Sequence, residues 1–253
     1  MDRLIHTVGN ALTTTQDRLR ITAQNLSNLS VPGFRRDLPA EGTTLFLHQM
    51  DGLQARAFQV TAEGHGFSQE PGFLDRTGEP LDVAIADAGF LFAQPATGGP
   101  ALTRRGDLRV DLQGQLVNGA GEAMLDTGLQ PIVLPPFREV VIDEIGQISI
   151  VPRDGAPGEL VPVATLASTV PDPGLDLRKG EDGQIRLAGG ALPPANQQAR
   201  ILQGTLERSN VNPTGELIAS IDQQRGFELN MRMITEAKAM DEAASRLLRL
   251  PDA

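Results

Sequence analysis

The chain has 253 residues, of which 40% are hydrophobic, and its formal net charge at pH 7 is −10. This length allows one large domain or two ordinary ones, and the hydrophobic content is enough for a sizeable core. Because the chain has no cysteine, a disulfide framework and a thiolate metal site are excluded, and no apolar run reaches the roughly 18 residues of a membrane span.

The negative charge is concentrated in the middle of the chain. Residues 1–40 carry five basic and three acidic side chains, and residues 205–253 carry six and eight. Residues 41–204 carry 11 and 21, so the whole excess of ten lies there. Because contacts to phosphate need clustered Lys and Arg, this acidic body argues against nucleic acid and anionic lipid as partners.

A first helix is predicted from Asp2 to Leu29, because side chains suited to a helix interface recur there at alternating intervals of three and four residues. The stripe consists of Ile5, Val8, Leu12, Thr15, Leu19, Thr22, Leu26 and Leu29. This spacing is typical of a coiled coil. Pro32 and Gly33 end the helix, since proline cannot continue it and glycine allows a free turn.

The middle of the chain is predicted to be extended and then rich in strands. Residues 35–80 form a connecting segment with short apolar clusters between glycines. Residues 81–204 show short apolar runs bounded by Gly, Pro, Asp or Asn, as in an antiparallel β domain with Asp-x-x-Gly turns. The predicted strands are 81–85, 89–93, 108–112, 115–118, 131–134, 140–142, 147–151, 161–166 and 184–187.

A second long helix is predicted from Pro213 to Arg249. Asn212 is suited to cap its first turn and Pro213 to occupy its first position. Two apolar stripes follow, made of Ile218, Ile221, Phe227, Met231 and Ile234, and of Met233, Ala237, Met240, Ala244 and Leu247. The predicted fold is therefore α+β, with long coiled-coil-like helices (1–34 and 205–253) flanking a connecting segment (35–80) and an outer β domain (81–204).

No catalytic, metal or cofactor site is predicted. The three histidines, His6, His48 and His65, lie in separate segments, and no nucleophile, phosphate-binding or dinucleotide motif is present. Helices of this length have more apolar surface than a small core can cover, so their stripes need partners. These features favour a non-enzymatic subunit of an assembly.

Each end of the chain carries a distinctive motif. The first runs from Ala23 to Asn28 and continues as Pro32-Gly33-Phe34-Arg35-Arg36. The second runs from Gly204 to Pro213, with Gln224-Arg225 and Phe227–Asn230 after it. Together they resemble the end motifs of the flagellar rod and hook proteins. The resemblance implies an exported axial protein that passes through the flagellar type III apparatus without a cleaved signal peptide. It also implies the periplasmic rod as its location, other rod subunits and the export apparatus as partners, and no insertion into the membrane.

The stripes and the two motifs together identify the expected assembly residues. At the N-terminal end they are Ile5, Val8, Leu12, Leu19, Asn25, Leu26, Asn28, Pro32, Gly33 and Phe34. At the C-terminal end they are Leu206, Glu207, Ser209, Asn210, Val211, Asn212, Ile221, Gln224, Arg225, Phe227, Met231, Ile234, Met240 and Leu247.

The paralogue and the functional class have alternatives. The opening residues and the Pro71–Asp75 motif most resemble the proximal-rod members of the family, and a distal-rod or hook paralogue is the alternative. A periplasmic glycan-binding or glycan-cleaving β domain is a different class, but it would need an aromatic platform, and the chain has no Trp or Tyr. A viral tail or fibre protein would share the helices and strands but not the paired end motifs.

Overall fold

The computed structural model describes residues 2–39, 43–47, 56–60, 66–155, 158–180 and 182–248. The helices are α1 (Asp2–Ser27) and α2 (Pro213–Leu248). The strands are β1 (Asp37–Leu38), β2 (Thr43–Leu47), β3 (Arg56–Val60), β4 (Gly66–Phe67), β5 (Leu74–Arg76), β6 (Val83–Ile85), β7 (Phe90–Gln94), β8 (Ala101–Thr103), β9 (Leu108–Val110), β10 (Leu116–Asn118), β11 (Ala123–Met124), β12 (Phe137–Ile142), β13 (Gln147–Pro152), β14 (Val161–Thr165), β15 (Ser168–Thr169), β16 (Leu177–Lys179), β17 (Ile185–Leu187), β18 (Ile201–Gln203) and β19 (Thr205–Glu207).

The chain divides into two units, neither of which is continuous in sequence. Unit 1 consists of Met1–Ser27, Pro39–Ala62 and Asn212–Ala253. Unit 2 consists of Asn28–Leu38 and Glu63–Val211. Residues 28–38 therefore group with the strand-rich body, and the segment around β2 and β3 groups with the helices. The four-segment division expected from the sequence stays a prediction.

In unit 1 the helices α1 and α2 contact each other, and β2 pairs with β3 in antiparallel register from Thr43↔Val60 to Leu47↔Arg56. Asn212 caps α2, because its side-chain oxygen accepts hydrogen bonds from the backbone N–H groups of Thr214 (3.1 Å) and Gly215 (3.2 Å).

The fold is α+β, but the prediction of long coiled-coil-like helices is wrong. A coiled coil needs a continuous apolar seam. Among the described side chains of α1 the buried ones are Ile21, Thr22 and Asn25, whereas the stripe residues Leu12 and Leu19 are only half-buried. Most large apolar side chains described in α2 are exposed. No such seam therefore joins the described parts of the two helices.

Unit 2 is built from antiparallel sheets. Its largest sheet has the order β16-β17-β8-β7-β11-β10-β9, and β15 also pairs with β7. A three-stranded sheet has the order β12-β13-β14, and the pairs β18-β6, β19-β5 and β1-β4 complete the unit. Residues 131–134 were expected to form a strand but make only isolated bridges. Pro131 and the prolines at 135 and 136 lack the N–H that a ladder needs.

Strand β7 lies in the centre of unit 2 and is buried on both faces. Phe90 and Phe92 pack in one apolar cluster, and Leu91 and Ala93 in another on the opposite side. Alternate side chains of a strand point to opposite faces, so a continuous apolar run is expected where both faces are covered. The larger cluster includes Ile201 in β18. A strand close to the C-terminal end of unit 2 therefore completes the core.

Among the described residues one kind of turn occurs four times between strands of unit 2. The turns begin at Asp111, Asn118, Asp126 and Asp143. In each, the side-chain oxygen of the first residue accepts hydrogen bonds from the backbone N–H groups two and four residues later. The fourth residue has a positive φ, which glycine adopts freely. It is glycine in three turns and Leu129, with φ 57°, in the other.

Candidate functional site

The two end motifs meet in unit 2. The backbone N–H of Gly33 donates to the carbonyl oxygen of Glu207 at 2.7 Å, and the N–H of Asn210 donates to that of Phe34 at 3.3 Å. The Asn210 side chain accepts a bond from the N–H of Arg36 at 2.7 Å and donates to the carbonyl of Glu70 at 2.7 Å. The first motif and the segment before α2 are thus held side by side.

A buried carboxylate, that of Glu207, lies at the centre of this junction. Its Oε1 is 2.8 Å from Nη2 of Arg35 and accepts a 2.8 Å bond from the backbone N–H of Gly72. Its Oε2 is 2.8 Å from both Nε and Nη2 of Arg104. Glu207 is 2% exposed and each arginine 4%. Four segments distant in sequence therefore converge on one charge, and we call Arg35, Arg104 and Glu207 the arginine clasp.

Two glycines allow this close approach. A Cβ atom at Gly33, which has φ 67°, would overlap the carbonyl oxygen of Arg104, and one at Gly72 would overlap that of Arg208. Any side chain at either position would push the segments apart. These glycines are therefore needed for the backbone contacts that surround Glu207.

The clasp holds two positive charges against one negative charge. The pKa of Arg35 is lowered to about 10, mainly by burial and then by the nearby charge of Arg104, while Glu207 acts in the opposite direction. Arg104 also donates to the carbonyls of Ile85, at 3.1 Å, and of Asp87, at 2.7 Å. These carbonyls spread its charge over the β6–β7 connection, as a buried guanidinium requires.

A second buried ion pair lies beside the clasp. The Lys179 ammonium is 2.6 Å from Oδ1 of Asp37, donates to the Arg35 carbonyl at 3.1 Å and lies 3.8 Å from the Phe34 ring centroid. Burial lowers the pKa of Lys179 although Asp37 acts in the opposite direction. The strand β16 is thereby fixed to the first motif.

In unit 1 the helix contact is polar. Asn25 Nδ2 donates to Oε1 of Glu216 at 3.3 Å, and Gln223 Nε2 donates to Oγ1 of Thr22 at 3.2 Å. Thr22 precedes Asn25 in α1, but its partner Gln223 follows Glu216 in α2. The two helices therefore run antiparallel. Buried polar pairs of this kind select one register, because a shift would leave them unpaired.

The other side of α2 is uncovered within the described residues and carries large apolar side chains among charged ones. These apolar side chains, with their exposed fractions, are Leu217 (54%), Ile218 (56%), Ile221 (50%), Leu229 (60%), Met231 (43%), Met233 (41%) and Met240 (64%). Scattered apolar side chains are normal on a surface, but a row along one helix marks an interaction site.

The structure places the expected assembly residues in four environments. Buried are Asn25, Gly33, Glu207 and Val211. Half-buried are Leu12, Leu19, Leu26, Asn28, Pro32, Phe34, Leu206, Ser209, Asn210, Phe227 and Ile234. Exposed are Asn212, Ile221, Gln224, Arg225, Met231 and Met240. Ile5, Val8 and Leu247 lie in the helices, but their side chains are outside those described. The assembly role of the whole set stays a prediction.

Sequence reasoning missed most of the buried charges. Arg35 lies in a motif that carried the family resemblance, but neither Arg35 nor Arg104 was expected in a site, and Asp37 and Lys179 gave no signal. Arg35 and Glu207 inside the two end motifs were the available clue, since charged residues rarely lie in a core without partners. No group of three acidic or histidine side chains that could hold a metal occurs among the described residues. No helix in the described ranges has the length and apolar character needed to span a bilayer.

Comparison with known proteins identifies the same two ends. Residues 5–35 match the family of flagella basal body rod proteins, and residues 202–247 match the C-terminal family of flagellar basal body rod FlgEFG proteins. Flagellar basal-body rod protein FlgF of Salmonella typhimurium strain LT2 is 35% identical, over 99% of this chain and 100% of that protein. FlgF of Escherichia coli K12 is 32% identical over the same shares.

A paralogue is also similar. Flagellar basal-body rod protein FlgG of Buchnera aphidicola subsp. Baizongia pistaciae is 28% identical, over 92% of this chain and 94% of that protein. Full-length identity of 35% to a rod protein, with both end families matched and joined at the clasp, shows that this chain belongs to the flagellar basal-body rod protein family.

Proposed function

We propose that the chain is a structural, non-enzymatic subunit of the flagellar basal-body rod, in its proximal part. The greater identity to FlgF than to the FlgG relative supports the proximal position over the distal one. Its partners are neighbouring rod subunits, identical or paralogous, and the flagellar export apparatus that delivers it. The end helices make the contacts between subunits.

The uncovered apolar side of α2 carries this proposal. Ile221 is half exposed near the start of the helix, on the side away from Glu216 and Gln223. Burying such a side chain against a neighbour stabilises the contact by about 1 to 2 kcal/mol, and several side chains share the row. The hydrogen bonds of Glu216 and Gln223 to α1 fix the rotation of α2 about its axis. The exposed apolar side chains of α2 therefore face away from α1.

The test compares two exposed positions on α2. Ile221→Asp places a charge in the proposed contact, and we expect it to be missing from purified basal bodies and to abolish swimming. Thr235→Asp introduces the same charge at an exposed polar position of α2 outside the expected assembly residues, and it should be incorporated. Far-UV circular dichroism establishes that both variants keep their helices. Normal incorporation of Ile221→Asp would contradict the proposed function.

A further inference from the structure

The contact between α1 and α2 gives little stability of its own. Among the described side chains of the two helices, the buried apolar ones are Ile21 and Ala237. The two hydrogen bonds between the helices add little net free energy, because their partners bond to water when the helices separate. A helix that lacks a packed apolar face is marginal in water. The helix pair therefore depends on another part of the chain to hold α1 and α2 close together.

The length of chain between the helices also opposes their contact. Asn25 and Glu216, which are bonded to each other, are 191 residues apart in sequence. The effective concentration of one end of a flexible loop at the other end falls with about the 3/2 power of the loop length. In a chain whose middle is unfolded, α1 and α2 therefore meet rarely.

The junction of the two end motifs removes most of this loop. There the backbone N–H of Asn210 donates to the carbonyl oxygen of Phe34 at 3.3 Å. Phe34 follows Asn25 by nine residues and Glu216 follows Asn210 by six, so closing the junction shortens the loop from 191 residues to 15. By the 3/2-power relation, the effective concentration of one helix at the other rises about 45-fold.

The junction closes together with the core of unit 2. Glu207 lies beside it, and the Glu207 carboxylate is bonded to Arg35, to Arg104 and to the backbone N–H of Gly72. A buried charge that lacks its partners is strongly unfavourable. The junction therefore forms only when the segments that carry these residues have come together.

We infer that unit 2 is the brace that pairs α1 with α2 within one chain. Folding of unit 2 closes the junction, and closure of the junction brings the two helices together. Until unit 2 folds, both helices stay unpaired. The inference concerns the order of events in a single chain, so it goes beyond the proposed function and does not depend on it.

The first test lengthens the chain on one side of the junction. A Gly/Ser segment of about 30 residues between Val211 and Asn212 triples the 15-residue loop, so the pairing constant should fall about fivefold. The same segment in the exposed turn between Gly98 and Gly99 lengthens only the chain that the junction bypasses, and it should leave pairing unchanged. Hydrogen exchange at the amides of residues 21–26 in the full-length protein measures pairing, because these amides exchange when the helices separate.

The second test unfolds unit 2 in urea. The Gly72 amide, which donates to Glu207, reports on unit 2, and the amides of residues 21–26 report on the helix pair. The helix amides should lose their protection at or below the urea midpoint of unit 2. In Glu207→Gln, which removes the charge at the centre of the clasp, unit 2 should unfold at less urea, and the helices should separate by that lower midpoint. Glu139→Gln is the matched control, since Glu139 is exposed, and it should keep both midpoints.

Two results would overturn the inference. One is helix amides that stay protected after the Gly72 amide has exchanged, and the other is insertions at the two positions that change helix exchange equally. Either result would leave the assembly role of α2 standing, because that role is tested by the incorporation of Ile221→Asp.

Discussion

Removal of the central charge of the arginine clasp tests how unit 2 is held together. Glu207→Gln keeps the size of the side chain but raises the net charge of the buried trio from +1 to +2. Breaking a buried ion pair by removing one partner costs about 3 to 5 kcal/mol. Glutamine retains one acceptor oxygen, so we expect about 3 kcal/mol, which lowers the folding equilibrium constant of unit 2 roughly 150-fold.

The assay is urea unfolding followed by far-UV circular dichroism, together with calorimetry, because the chain has no Trp or Tyr for fluorescence. A loss of about 3 kcal/mol should lower the Tm of unit 2 by about 6 to 12 °C. Glu139→Gln is the matched control, since Glu139 is exposed on β12, and it should change stability by less than about 0.5 kcal/mol.

Removal of Arg35 instead leaves a neutral pair between Glu207 and Arg104. Arg35→Met loses the bond to the Gln69 carbonyl at 3.1 Å, and we expect a cost of about 1 to 2 kcal/mol. Glu207→Gln must therefore be the more damaging change. If it cost no more than the Glu139→Gln control, or less than Arg35→Met, the charge balance proposed for the clasp would be refuted.

Three further predictions concern single positions. Gly72→Ala should destabilise unit 2 by about 3 kcal/mol or more, because its Cβ would overlap the Arg208 carbonyl oxygen, whereas Gly99→Ala, with open space around it, should be nearly neutral in urea unfolding. As the pH rises toward 10.5, the usual pKa of lysine, the stability of the wild type should rise, because the lowered pKa makes folded Lys179 release its proton before the unfolded chain does. Lys179→Met should lose this rise in the free energy of unfolding. Leu129→Asn should raise stability by about 0.5 kcal/mol, because asparagine tolerates the φ of 57° better than leucine, and an unchanged or lower urea midpoint would count against this reason.

Sequence patterns predicted the strand-rich body and its turns because those features are local. A short apolar run between turn residues, such as the one that contains Phe90–Gln94, is recognisable without knowledge of its neighbours. The pairing of strands, in contrast, depends on residues that are distant in sequence. Strands β18 and β19 carry no strong pattern, and they form because β6 and β5 offer free edges beside the clasp.

The coiled-coil prediction failed for a physical reason. Spacing shows which side chains share a helix face, but it does not show whether apolar packing or hydrogen bonds hold that face to a partner. In α1 the buried residues include Thr22, which belongs to the predicted stripe, and Asn25, and they are bonded to Gln223 and Glu216. The buried arginines were missed for the same reason, since Arg35 and Arg104 resemble surface residues until Glu207 is placed between them.

The clasp also has a consequence for the timing of folding. Glu207 follows Gly72 by 135 residues and Arg104 by 103, so the ribosome has made almost all of unit 2 before the charge that neutralises its core arginines exists. Contacts this distant in sequence slow folding, because a long loop must close first. We therefore expect the body of this subunit to remain unfolded through most of its synthesis, and a chain released before residue 207 to be a substrate for chaperones and proteases.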